Sequence, residues 1–241
     1  MAARLSGEWA ALARTPTGRW SVWKFNWLAN HKLIRALERA RVHARGALLD
    51  VGCGSKPFAP LFASRVTRYL GTDLAGSPYL GGARLDAFAR AESLPVRDAA
   101  VDTVLALSMI TYLPEPGAML DEARRVLRPG GALIVEFAQM APVAGAPHDY
   151  FRFTRYGARH LLERAGFEVV DVIPIGGLWA RVGLSLIAGL NRFNRGPTRV
   201  ITELPVRALY VLLQLFFELL DRLFTDPGEV LAHLVVAKKR E

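Results

Sequence analysis

The chain has 241 residues, a length that suits one α/β domain with additions, and its hydrophobic fraction of 51% is slightly above the globular average. Its formal net charge is +9, but the basic residues are scattered and do not alternate with aromatic residues, so we expect no nucleic-acid partner. No uncharged apolar run is long enough to span a bilayer, and no signal peptide is evident, which excludes an integral membrane protein and predicts a cytoplasmic location.

Residues 1–45 are predicted to be helical and form an N-terminal helical cap. Trp20, Trp23 and Trp27 recur at i, i+3 and i+7, which places them on one face of a helix. This face either packs on the rest of the domain or closes a ligand pocket.

Strands and helices then alternate, as in a doubly wound α/β sheet. Apolar runs predict strands near 47–52, 68–73, 82–86, 101–107, 131–137, 167–175 and 230–238. Helices are predicted near 56–64, 116–127 and 154–165. Thr154 is the expected N-cap of the last of these helices, and Gly166 its expected C′ residue.

The first strand ends in an acid followed by two spaced glycines, Asp50-Val51-Gly52-Cys53-Gly54. Glycines at such a turn let a ligand approach the backbone closely. The second strand ends in Asp73, at the position where nucleotide-binding sheets place an acid that bonds ribose hydroxyls. The two strand ends therefore predict a cofactor that contains adenosine.

The glycine loop departs from the dinucleotide fingerprint. That fingerprint needs a third glycine to admit a pyrophosphate, and Pro57 occupies the place here. Asp50 would repel a pyrophosphate but attract a cationic ligand, directly or through water. The loop therefore argues against a nicotinamide dehydrogenase. Cys53, the one cysteine, is expected to line the cofactor rather than act as a nucleophile, and the five histidines lack the spacing of metal ligands.

Three motifs, in order between about 47 and 137, carry a family resemblance. The D-x-G-x-G run at Asp50 resembles motif I of the class I S-adenosylmethionine (SAM)-dependent methyltransferases. The segment 99–108 is similar to the fourth strand of that family, and the block 123–135, with Arg128-Pro129-Gly130-Gly131, to its post-motif. The resemblance, which is to the type 11 group, implies a Rossmann-like seven-stranded sheet, methyltransferase activity and SAM as cofactor.

The resemblance also implies roles for single residues. It places Asp50, Gly52, Cys53 and Gly54 on the methionine part of SAM and Ser108 beside the cofactor. It places Asp73 on the ribose and Leu74 on the adenine. The family's adenine-binding acid is replaced by Arg90, so adenine recognition is expected from the backbone of Ala91 and Glu92, or from Asp86 if the loop carries a four-residue insertion.

The segment 147–156 is predicted to face the acceptor, because ligands bind beyond the carboxyl ends of the strands. It resembles a methyltransferase subgroup with an H-D-Y-F-R-F-T loop. His148 is the candidate base, since the pKa of an ordinary histidine is near neutrality, and Tyr150 is expected to line the pocket. Asp149 orients His148 or its neighbours. In the alternative interpretation the loop only orders itself, with Asp149 and Thr154 capping the next helix.

Residues 178–225 form a predicted apolar helical insertion before the last strand. Between 205 and 224 the polar residues form one stripe about 100° wide, and the rest of the helix surface is apolar. Such a helix should be covered on more than one side, by the domain, by residues 178–193, by a second subunit or by lipid. A homodimer, or peripheral contact with the inner membrane face, through 178–224 is therefore expected alongside a pocket lid.

The sequence thus predicts an N-terminal cap (1–45), a SAM-binding domain (46–177 and 226–241) and an insertion (178–225). The expected reaction is O- or N-methylation of a small or lipid-like acceptor. The alternative is a non-catalytic interaction protein or partner subunit with the same fold.

Overall fold

The computed structural model describes residues 22–81, 85–193, 199–224 and 228–240. Trp20 lies outside the described residues. Residues 22–26 form turns, and Trp23 in this segment is 48% exposed, so the prediction that Trp23 and Trp27 share one helix is wrong. The first described helix begins only at Trp27.

Within the described residues, seven strands form one sheet in the order β3-β2-β1-β4-β5-β7-β6. All neighbouring strands are parallel except β7, which runs antiparallel to both β5 and β6. This arrangement confirms the predicted Rossmann-like fold. The strands are β1 (Ala47–Val51), β2 (Arg68–Asp73), β3 (Ala87–Phe88), β4 (Val101–Ala106), β5 (Leu127–Ala138), β6 (Phe167–Ile175) and β7 (Ala232–Lys239).

Helices flank the sheet, and two of them lie between β6 and β7 in the chain. The α-helices are α1 (Trp27–Ala40), α2 (Ala59–Phe62), α3 (Pro116–Val126), α4 (Arg155–Arg164), α5 (Leu178–Phe193) and α6 (Arg199–Leu223). The caps of α4 are as predicted, because Thr154 accepts a hydrogen bond from the Gly157 amide at 3.2 Å and Gly166 has a φ of +80°. None of the described helices is long and apolar enough to cross a membrane.

Residues 82–84 of the strand predicted near 82–86 lie outside the described residues; Leu85 and Asp86 are not in a strand, and β3 covers Ala87–Phe88. Asp86 links the segment before β3 to β2. Its carboxylate accepts the Gly71 amide at 2.8 Å and also pairs with Lys56. The Asp86 amide also donates to the Gly71 carbonyl at 3.1 Å, and the strand pairing follows with Ala87 opposite Thr72.

The core lies on both faces of the sheet. On one face, Leu33 and Leu37 of α1 pack in a cluster with Leu48 of β1 and Leu105 of β4. On the other face, α3 and α4 bury their apolar sides against the same central strands. Helix α1 packs mainly over β6 and β7, beside the central strands whose ends carry the candidate site.

The first half of α1 packs instead against the insertion. Leu28 is fully buried in a cluster with Ala180 of α5 and Phe217 of α6. Gly183 permits the close approach of α5 to α6, since a Cβ at this position would lie 2.7 Å from the Phe217 side chain.

The polar stripe of α6 faces inward. Gln214, Glu218 and Asp221 are buried, and Gln214 accepts a hydrogen bond from the Leu28 amide at 3.1 Å. Lys32 of α1 lies 2.7 Å from Glu218 Oε2 and 2.8 Å from Asp221 Oδ2. Among the described residues, α1 and α5 therefore cover only the sides of α6. The outer apolar face of α6 is exposed.

Candidate active site

The candidate site lies along the carboxyl ends of β2, β1, β4 and β5, which are neighbours in the sheet. The chain at this edge carries Asp73 at the end of β2, Asp50 in β1, Ser108 just beyond β4 and Glu136 near the end of β5. Because parallel strands end at the same edge, residues far apart in sequence form one row.

The glycine loop after β1 is held against the end of β2. The amides of Gly52 and Cys53 donate to the Thr72 carbonyl at 2.8 and 3.1 Å, and the Gly54 amide donates to Asp73 Oδ2 at 2.7 Å. Gly52 and Gly54 have φ values of +71° and +51°, in the left-handed region that favours glycine. The two sequence elements that predicted the cofactor are therefore in direct contact.

Asp50 is buried, and its Oδ2 accepts a hydrogen bond from the Tyr69 hydroxyl at 2.6 Å. Burial raises the pKa of Asp50 to about 7, with a further increase from the charge of Asp73; the Tyr69 hydrogen bond and the charge of Lys56 act in the opposite direction. A carboxyl group in this state would be stabilised as the carboxylate by a cationic ligand.

Cys53 is also buried, and burial together with the nearby charges of Asp50 and Asp73 raises the pKa of its thiol to about 12. The thiol therefore stays neutral at physiological pH. Since the thiolate is the nucleophilic form, this agrees with a lining role for Cys53.

At the expected adenine end, Leu74 is 50% exposed beyond β2 and offers an apolar surface. Ala91 is buried, and Glu92 lies 3.5 Å from Arg90, so these residues are tied to their own turn. Asp86 is bonded to Lys56 and the Gly71 amide, at the base of β3.

Glu136 is a site residue that the sequence analysis missed. Both the amide and the hydroxyl of Ser108 donate to its Oε2, at 3.0 and 2.7 Å. Burial raises the pKa of Glu136, although the hydrogen bonds from Ser108 lower it. Its sequence signal was available, because it is the one charged residue in the apolar strand segment 132–138 and ends that strand much as Asp50 ends β1.

The acceptor loop 145–153 is held by Asp149, whose hydrogen bonds go to its neighbours in the chain and not to the start of α4, which Thr154 caps. The Asp149 carboxylate accepts from Arg152 at 2.5 and 2.8 Å and from the Ala144 amide at 2.9 Å, and it does not bond His148. His148 Nδ1 instead lies 3.1 Å from the Tyr150 hydroxyl, and both side chains are exposed.

Tyr112 joins this loop to the strand ends. A Cβ on Gly145 would lie 2.7 Å from the Tyr112 ring, so the loop packs on that ring. Burial raises the pKa of the Tyr112 hydroxyl to about 12, and the charges of Tyr79, Asp149 and Glu136 act in the same direction. Tyr79 in turn lies beside Gly54, where a Cβ would be 3.2 Å away. The glycine loop, Tyr112 and Glu136 therefore surround one region.

The edge fits a cationic adenosine cofactor better than a dinucleotide. Asp50 would pair with a positive group, and the oxygens of Asp73, each accepting one backbone amide, retain lone pairs for ribose hydroxyls. The glycine loop leads into α2, which has only four residues and so contributes little dipole to bind a pyrophosphate.

Comparison with known proteins agrees with this chemistry. A family model described as a methyltransferase domain matches residues 49–135. The chain is 30% identical over 160 residues to a probable S-adenosylmethionine-dependent methyltransferase of Mycolicibacterium smegmatis, covering 62% of each chain. It is 29% identical over 195 residues to an uncharacterized methyltransferase of Mycobacterium leprae, covering 73% of this chain and 72% of the relative.

Solved structures share the fold at lower identity. The cyclase SpnF is 22% identical with a TM-score of 0.58, over 94% of this chain and 85% of its own. The 1,6-didemethyltoxoflavin-N1-methyltransferase of Burkholderia thailandensis, solved with bound S-adenosylhomocysteine, is 16% identical with a TM-score of 0.54, over 87% and 77% of the two chains. Because a cyclase and a methyltransferase share this fold, the fold alone does not give the activity. The sequence relatives and the domain matched over residues 49–135 support a SAM-dependent methyltransferase activity, and the chain is similar to class I SAM-dependent methyltransferases.

Proposed function

We propose that this methyltransferase transfers the methyl group of SAM to an oxygen or nitrogen atom of a small or lipid-like acceptor. The proposal is carried by Glu136, a carboxylate with a raised pKa that is fixed by Ser108 at the end of the sheet edge. A protonated oxygen or nitrogen acceptor must lose a proton on methylation, and a carboxylate with a raised pKa is suited to take it.

The candidate binding residues follow one another along the edge of the sheet in the same order as the strands that carry them. Adjacent strands lie about 4.8 Å apart, so the edge from β2 to β5 spans roughly 14 Å. Leu74 and Asp73 would hold the adenosine, and the loop from Asp50 to Gly54 the methionine part. The backbone of Ala91 and Glu92 would complete the adenine site. Ser108 would then lie beside the sulfonium, and Glu136 beyond it, on the acceptor side.

Two groups are proposed to receive the acceptor's proton. Ser108 donates twice to Glu136 Oε2, so Oε1 is the oxygen placed to take a proton. His148 is the second group: when its Nδ1–H donates to the Tyr150 hydroxyl, Nε2 is left as the proton acceptor. When bound, SAM supplies a methyl carbon made electrophilic by the neighbouring sulfonium.

We further propose that α1 and the insertion act as one unit over the acceptor side. Leu28 and Lys32 of α1 bond and pack against α6, while Leu33 and Leu37 of the same helix pack on the sheet. The two segments predicted from the sequence, 1–45 and 178–225, would then act together, because helices from both contribute to one small core.

The function is tested by incubating the full chain with SAM and a panel of phenols, carboxylic acids and amines, and measuring S-adenosylhomocysteine formation. We expect at least one class to accelerate it. With that acceptor, Glu136→Gln should lower kcat about 10²- to 10⁴-fold, while S-adenosylhomocysteine binding by calorimetry changes less than about twofold. Glu163→Gln, which removes an exposed carboxylate on α4, is the matched control and should be neutral.

His148→Gln distinguishes the two proton acceptors. If His148 is the base, its variant loses kcat and Glu136→Gln does not; if Glu136 is the base, the reverse holds. Wild-type kcat in both variants would refute acid–base assistance by either group. S-adenosylhomocysteine binding with no acceleration by any acceptor class would refute the proposed acceptor chemistry.

A further inference from the structure

The outer face of α6 carries an apolar row with coiled-coil spacing. Five residues follow one another at intervals of three, four, three and four, and each is between 40% and 66% exposed. This is the spacing of the a and d positions of a heptad, which places all five on one side of the helix. We call these residues the seam: Leu209, Leu212, Phe216, Leu219 and Leu223.

The rotation of α6 is fixed so that the seam faces outward. Lys32 bridges Glu218 and Asp221 on the inner side, and Asp221 also accepts the amides of Gly177 and Ala180 at 3.1 and 3.0 Å. Rotating α6 so that the seam faced inward would move Glu218 and Asp221 away from Lys32 and from the amides of Gly177 and Ala180. These groups would then be buried without hydrogen-bond partners, which is costly. The exposure of the seam is therefore built into the packing of α6.

The exposed apolar area is large enough for a specific interface. The insertion carries four more exposed apolar residues on α5, on α6 and just after α6: Val182, Leu186, Leu215 and Phe224. Together with the seam they equal about five fully exposed side chains, or roughly 700 to 900 Å². The largest apolar patch of a typical monomer is about 300 to 600 Å², whereas a standard interface buries about 800 Å² per partner.

Charge argues for a protein rather than a lipid occupant. A helix that lies in a membrane interface carries rows of lysine and arginine along its polar side. The described side chains of α6 include only two basic ones, Arg207 and Arg222, and Arg222 donates to Glu218 at 2.6 Å. The polar side also contains two acids and faces the protein interior.

We propose that two copies of this chain pair through the seam about a twofold axis. A twofold interface uses the same patch on both subunits. An apolar heptad row on one helix can pack against the same row on a second copy of the helix. The pairing would bury Phe216 and the seam leucines against those of the partner and leave the sheet edge with the candidate active site accessible.

The test is the mass of the full chain in solution, measured by sedimentation equilibrium from about 1 to 100 μM. We expect a dimer of two 26.5 kDa chains. The double variant Phe216→Glu/Leu219→Glu should raise the dimer dissociation constant at least ~100-fold, with an unchanged circular dichroism spectrum. Val42→Glu is the matched control: Val42 is 55% exposed, close to the 54% of Phe216, but lies after α1, and its variant should stay dimeric.

Three outcomes would overturn the proposal. One is a dimer that survives the double variant. The second is a monomeric wild type that cosediments with phosphatidylglycerol vesicles through the seam, which would assign it to lipid. The third is a monomeric wild type that dimerises only after deletion of residues 1–21, which would assign the seam to the N-terminal segment of the same chain.

Discussion

The protonation of Asp50 should make cofactor binding depend on pH. Its carboxyl is buried beside the Tyr69 hydroxyl, and burial raises its pKa to about 7. The carboxylate would attract the ammonium of the cofactor's amino-acid part, whereas the neutral acid would not. We therefore expect S-adenosylhomocysteine, which carries the same ammonium, to bind more weakly as pH falls below 7.

The size of the effect follows from the ionised fraction. With a pKa of about 7, Asp50 is roughly 75% ionised at pH 7.5 and roughly 10% ionised at pH 6. If only the carboxylate form binds, the dissociation constant rises about eightfold between these values, or about 1.2 kcal/mol. An α-amino group has a pKa of about 8, so the ligand stays largely cationic over this range.

Isothermal calorimetry of the full chain with S-adenosylhomocysteine at pH 6 and 7.5 measures this directly. Repeating the pH 6 titration in buffers of different ionisation enthalpy should show release of close to one proton. Asp50→Asn should bind more weakly and lose the pH dependence. Glu136→Gln is the control, because it removes another, half-buried acid at the same edge and should keep the eightfold change. Equal dissociation constants at both pH values in the wild type would refute the reasoning.

Three further predictions concern the site and its support. Asp73→Ala should weaken S-adenosylhomocysteine binding at least ~10-fold in calorimetry, because it also frees the Gly54 and Leu74 amides; undiminished binding would refute the ribose assignment. Lys32→Ala should lower the free energy of unfolding by about 3 kcal/mol in urea, since it removes the cation that bridges the buried carboxylates of Glu218 and Asp221, whereas Arg159→Ala, at an exposed pair, should cost below ~1 kcal/mol. Burial raises the pKa of Glu218, but contacts with His31, Lys32 and Arg222 lower it to about 2 from 4.5. The free energy of unfolding should therefore fall as the pH drops from 4.5 towards 2. Glu218→Gln should lose this dependence in acid titrations followed by circular dichroism.

Sequence patterns predicted the features that depend on neighbouring residues or adjacent strands. The acids ending β1 and β2 and the glycine turn predicted neighbouring strand ends, and the structure brings Gly54 and Asp73 into contact there. Asp86 shows the limit of such patterns, because its side-chain bond to the Gly71 amide joins residues 15 positions apart and has no periodic signal.

The orientation of α6 could not be predicted in this way. Helical periodicity identifies which residues share a face but not which face is inside. Here the decision depends on Lys32 of α1, which is far from Glu218 and Asp221 in sequence and lies beside them only in the folded chain. Gln214, Glu218 and Asp221 are therefore buried, against the usual rule for surface helices, while Arg207 and Arg222 of the same stripe are exposed.

The charge balance of the sheet edge explains which cofactor this fold accepts here. The chain carries a net charge of +9, yet Asp73, Asp50 and Glu136 end three of four neighbouring strands, and the nearby Lys56 is paired with Asp86. A pyrophosphate would add negative charge to this edge with only the four-residue α2 to offset it. A sulfonium and an ammonium would instead be attracted, and we expect their binding to favour the ionised form of Asp50. We infer that the side chains at the strand ends, rather than the arrangement of the strands, decide between a dinucleotide and SAM.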